Sequence, residues 1–161
     1  MSNAARRILM MILILGTAGI SLELWLLAHT EDIYQLIPLW LAGAAMVASV
    51  LVALRPSPGT IRLFQAVMVL FLLSGVIGMV LHFQVNIEFQ LEMDPALAGM
   101  ELFRKSIVAK TPPALAPGAM IQLGLIGLAY TFRHPALGSG VAEDDTRSRV
   151  AGPQPPARRT S

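Results

Sequence analysis

Cysteine is absent from this sequence, which excludes a disulfide framework, a thiolate metal site and a cysteine nucleophile together. Charge is scarce as well: 14% of the residues are charged, against about 25% in ordinary soluble domains. No phosphate-binding loop, nucleotide fingerprint, catalytic triad order or zincin motif occurs, so the chain is read as non-enzymatic. The basic residues sit at the ends of apolar runs and in the C-terminal stretch instead of forming one patch. Despite a net charge of +2, that scatter reads as membrane topology, with no nucleic-acid partner.

What the chain does hold is apolar residues, 55% of the total, gathered in long blocks. Blocks near the 20 residues needed to cross a bilayer predict spans at about 8–28, 36–54, 63–83 and 116–132, the last at the short end of the range. The fold class expected is an all-α membrane protein, a four-span antiparallel helical bundle filling residues 1–135. An extended or amphipathic external segment at 84–115 separates spans three and four. The residues from 136 to 161, rich in Gly, Pro, Ser and Arg, have little to bury and predict a disordered tail. The first block opens like a signal peptide, but its apolar run continues past a usual h-region and is read as a retained span. Pro38 is expected in the first turn of the second span, where its missing N–H does no harm. The pairs Ala44/Ala48, Ala45/Ser49 and Ser74/Gly78 have the four-residue spacing of close helix packing.

Placing the N-terminus in the cytoplasm puts Arg6, Arg7, Arg55, Arg62, Arg133, Arg147, Arg149, Arg158 and Arg159 inside, and leaves Arg104, Lys105 and Lys110 outside. That imbalance predicts a multi-pass protein of the cell (inner) membrane with both termini cytoplasmic.

From His82 to Asp94 polar and apolar residues alternate without a break, which predicts a strand or extended segment, with a prolonged third helix as the alternative. Asp94-Pro95 then has the composition of an N-cap and first helical residue. A helix over 96–110 would place Leu97, Met100, Phe103 and Ile107 near one face, pair Glu101 with Lys105 and lie in the headgroup region.

Candidate chemistry gathers on the proposed outer side. Glu23 sets a carboxylate inside the first apolar block, a placement costing roughly 2.5 to 3.5 kcal/mol on insertion scales, which makes it a functional-site candidate. Carboxylate and imidazole together can ligate a divalent cation, and Glu23, His82 and Glu88 are the candidate ligands. The same groups could carry a proton, with Gln122, His29, Glu31 and Asp32 as relay or partner candidates. The plainer reading of these outer acids is that they are what remains once the basic residues sit inside. Helical geometry separates Glu23 from His29, so partners for Glu23 are expected from other spans. A bis-histidine haem held by His29 and His82 is disfavoured because both fall at span ends. The partners expected are the lipid bilayer and a membrane protein or a second copy of the chain. The leading functional expectation is an accessory or interaction subunit, and the alternative is a cation- or proton-binding transporter-like or sensor protein.

Overall fold

The computed structural model describes residues 1–27, 33–109 and 115–138, and within them the chain is all helical: α1 (Asn3–Leu26), α2 (Ile33–Leu54), α3 (Pro58–Met93), α4 (Gly99–Ile107) and α5 (Leu115–Thr131). By length and composition α1, α2 and α3 are each able to cross a bilayer, which marks this as a membrane protein. The 17 residues of α5 form a shorter apolar helix.

Local chemistry sets the helix starts. The Ser2 hydroxyl accepts a hydrogen bond from the Ala5 N–H at 3.2 Å and caps α1. At α3, Ser57 and Thr60 form a reciprocal capping box with Pro58 at the first helical position. The helix therefore begins five residues earlier than its apolar block suggests. The second helix also begins early, at Ile33, which puts Pro38 beyond the first turn instead of within it.

The larger correction concerns residues 82–94. They do not form an extended segment; α3 runs on as one helix of 36 residues, about 54 Å long at 1.5 Å per residue. The burial pattern shows why the alternation was deceptive. His82, Phe83, Asn86, Ile87, Gln90 and Leu91 are buried or partly buried, whereas Gln84, Val85, Glu88, Phe89, Glu92 and Met93 are exposed. Residues hidden as adjacent pairs every four positions mark a helix face; a strand would hide every second residue. A lone strand would also leave its N–H and C=O groups without a ladder, and the helix satisfies them internally.

Asp94 ends α3 instead of starting the next helix. Its backbone N–H bonds to the Gln90 carbonyl at 3.0 Å, and its carboxylate accepts from the Ala96 N–H at 3.1 Å. The chain then reverses through Gly99 at φ +58°, a left-handed conformation suited to glycine, and α4 folds back against α3 with Phe103 edge-on to Phe83 at 5.7 Å. The expected Glu101–Lys105 pair is present at 3.2 Å. Met100, Phe103 and Ile107 remain exposed, while Ser106 is the buried residue of α4.

In the rest of the molecule the helices pack in the order α1–α2–α3–α5, and α5 closes the ring against α1. Phe64, Met68 and Phe71 of α3 meet Leu13 of α1, Ala45 and Ala48 of α2 and Leu123 of α5 in one core. The closest approach is between α3 and α5. A Cβ on Gly75 would lie 2.6 Å from the Pro117 carbonyl oxygen, and one on Gly124 would lie 2.8 Å from Leu72 Cβ. Of the small-residue pairs in α2, Ala45/Ser49 is buried; Ala48 is also buried but Ala44 is exposed.

At the end where α1 begins, Arg6 is buried and donates to three carbonyls at the C-terminus of α5: Tyr130 at 2.7 Å, Arg133 at 2.9 Å and Phe132 at 3.3 Å. Its positive charge meets the negative end of the α5 dipole. Beyond α5 the chain keeps a helical turn at 135–138, where Ala136 and Leu137 pack on the core. The expected tail is therefore structured at its start, and the remainder, residues 139–161, lies outside the described residues.

Candidate functional site

α1 and α3 stand diagonally across the ring, and at the end opposite Arg6 a cavity of about 320 Å³ lies between them. Glu23 projects from α1 and His82 from α3 into this space. Helical spacing accounts for their depth. Glu23 lies in the last turn of α1, and His82 lies on the α3 face that also carries Ser74 and Gly78, at intervals of four. The remaining polar lining is Tyr34 and Gln35 from α2, set in a wall of Leu24, Leu27, Leu81, Pro117 and Met120.

Pro38 lines the same cavity. Proline has no N–H, so the Tyr34 carbonyl, four residues earlier, lacks its regular helical donor. The arrangement thus combines one carboxylate, one imidazole, a phenol, an amide and the Ser74 hydroxyl in an apolar surround. Such a set can take up and pass a proton, or hold a small cation.

The other sequence candidates distribute differently. Glu88 is exposed and does not line the cavity. An extended segment would have put it on the same side as His82, six residues away; on a helix those six residues turn it to another face. Among the described residues no group of three or more His, Asp and Glu side chains could hold a metal ion. Gln122 is exposed on α5 and outside the cavity, because α5 turns Ala116, Pro117 and Met120 inward and Gln122 follows Met120 by about 200°. His29, Glu31 and Asp32 lie outside the described residues.

Sequence reasoning missed Gln35 and Tyr34, having left both in the connection before α2. The available signal was an aspartate immediately ahead of Ile33, a residue type favoured just before a helix start. It also missed the cap formed by Arg6, which was read only as a charge that orients the chain. Beside that cap His134 contacts the Tyr130 ring at 5.6 Å, and its Nδ1 accepts from the Ala136 N–H at 3.3 Å. Burial, and secondly the nearby Arg6 charge, hold the His134 pKa below the ordinary histidine value.

Compared with known proteins, the chain matches no family, no curated protein and no solved structure.

Proposed function

We propose that this chain is a small, non-enzymatic, multi-pass protein of the cell membrane that binds a proton or a cation between Glu23 and His82, in a transporter-like or sensor role. The observation that carries this reading is the shared cavity, into which two diagonal helices contribute a carboxylate and an imidazole. A proton is favoured over a divalent metal, because structural and catalytic metal sites use three or four protein ligands and this cavity offers one carboxylate and one imidazole. In this reading α5 crosses the bilayer as a fourth, short span, and both termini face the cytoplasm.

The test is infrared difference spectroscopy of the full chain in lipid nanodiscs, titrated with protons and separately with zinc or manganese. A titrating carboxyl signal that disappears in Glu23→Gln and moves in His82→Ala supports the reading. Identical spectra for wild type and Glu23→Gln in both titrations would defeat it.

A second reading, an accessory or interaction subunit, is favoured by the far end of α3 and by α4. Val85, Phe89, Met93, Met100 and Ile107 are all exposed there, and clustered exposed apolar residues are a mark of interaction surfaces. This reading expects another membrane protein, or a second copy, to co-purify in mild detergent. A clean monomer there tells against it.

A further inference from the structure

The Glu23 cavity selects among ligands by the chemistry of its walls. Its volume of about 320 Å³ lies at the lower end of the range that holds small organic molecules, about 300–1,000 Å³. Leu24, Ala116 and Met120, all buried, form its inner wall, and Leu27, Tyr34 and Leu81, all exposed, form its rim. No lysine or arginine lines it. Among the described residues the one ion pair is Glu101–Lys105 on α4, so no protein cation offsets the partly buried Glu23 carboxylate. A carboxylate in apolar surroundings costs free energy unless an opposite charge meets it.

Several ligand classes fit this lining badly. An anion is repelled by Glu23. A dication such as calcium takes six to eight oxygen ligands, and one ion would leave the apolar wall uncovered. A neutral apolar molecule would strip water from the carboxylate and leave it unpaired. A zwitterionic lipid headgroup brings an ammonium, but also a phosphate for which the lining has no lysine or arginine. A molecule with one positive charge on an apolar body meets both demands: its charge lies beside Glu23 and its body against Leu24, Pro117 and Met120. The Tyr34 ring at the rim favours the same guest, since the face of an aromatic ring attracts ammonium groups.

We propose that the cavity is a binding site for a free monovalent organic cation, an ammonium group carried on an aromatic or branched apolar body, with Glu23 as its counter-charge. The inference rests on the reading of Glu23 as a proton- or cation-binding group, and it names the chemical class of the cation.

The test is isothermal titration calorimetry of the full chain in nanodiscs, with empty discs as reference, at pH 8, where an ordinary imidazole is neutral. The probes are benzyltrimethylammonium, tetramethylammonium and benzyl alcohol. The first is expected to bind at least tenfold more tightly than the second, which lacks the apolar body, and than the third, which lacks the charge. Glu23→Gln is expected to weaken its binding at least tenfold, and Ser74→Leu, which fills the cavity, by as much. Glu92→Gln, exposed on α3 and outside the cavity, is expected to leave it alone. The comparison of probes needs no variant, so it decides the matter even where a substitution prevents folding. Equal affinity for benzyl alcohol or for tetramethylammonium overturns the proposal, as does unchanged affinity in folded Glu23→Gln. Equal affinity in discs of a neutral glycolipid and of phosphatidylethanolamine supports a free cation as the occupant; loss of binding in the second alone assigns the site to a headgroup ammonium and overturns it. If no probe binds while the Glu23 carboxyl band still titrates in the infrared, the organic-cation site falls and the proton site stands. If neither is seen, the site and the functional reading fall together.

Discussion

The guanidinium of Arg6 does the work of an entire C-cap. Three carbonyls of the Tyr130 to Arg133 segment converge on it, and hydrogen bonds to a charged donor are each worth about 1.5–3 kcal/mol. Arg6→Met is expected to lower stability by roughly 2–4 kcal/mol, less than the sum because water reaches the freed carbonyls. Arg6→Lys should recover only part of that loss, since an ammonium cannot reproduce the planar fork. Denaturant unfolding in detergent micelles reads both. His134, nearby, makes the same end of the molecule sensitive to acid. A histidine whose folded pKa lies below its ordinary 6.5 stays neutral in the folded chain while the unfolded chain takes up protons. Its contribution to stability is complete above about pH 6.5 and is lost as the pH falls through that value toward the lower folded one. Melting temperature should therefore drop across this window, and His134→Phe should flatten the drop.

At the scale of elements, the contact between α3 and α5 is decided by glycine. Gly75→Ala pushes a methyl against the Pro117 carbonyl, backbone that cannot swing aside, and is expected to cost about 1–3 kcal/mol or more. Gly43→Ala, with nothing within 4 Å of the new Cβ, should be neutral or stabilising by up to about 1 kcal/mol through helix propensity. Equilibrium unfolding of the two variants side by side checks the contrast. Neither outcome could be read from composition, because Gly43 and Gly75 sit in equally apolar blocks. The same limit explains how the elements themselves were legible. Apolar blocks located α1, α2 and α5 to within a few residues, since burial in lipid or protein demands continuous hydrophobicity. The continuation of α3 was hidden because each buried or partly buried adjacent pair, His82/Phe83, Asn86/Ile87 and Gln90/Leu91, joins one polar to one apolar residue, so the sequence shows no apolar helix face there. For the candidate site, Glu23 and His82 stand close to the same end of their blocks, and that shared depth is what lets both line one cavity. Gln122 stands at a plausible depth but on the wrong side of its helix, and rotation about an axis is what a nearly all-apolar helix fails to encode.

For the whole molecule, a ring of helices in the order α1–α2–α3–α5 brings the start of α1 and the end of α5 to one end. If all four cross the bilayer, the turn at Ser57 and the position Gly138 share one side, and Asp94 lies on the other. The natural lack of cysteine makes this easy to test with single reporters. Ser57→Cys and Gly138→Cys are expected to resist a membrane-impermeant thiol reagent applied to intact cells and to react after permeabilisation. Asp94→Cys is expected to react at once. Labelling of Gly138→Cys in intact cells would mean that α5 does not cross.

Arg6 also joins segments that are made far apart in time. Its partners lie 124 to 127 residues downstream; at about 5–20 residues per second, roughly six to twenty-five seconds of translation separate donor from acceptors. Until α5 emerges, Arg6 lacks the three carbonyls that receive it in the folded chain. The seam between the start of α1 and the end of α5 is therefore set only once translation has passed Arg133.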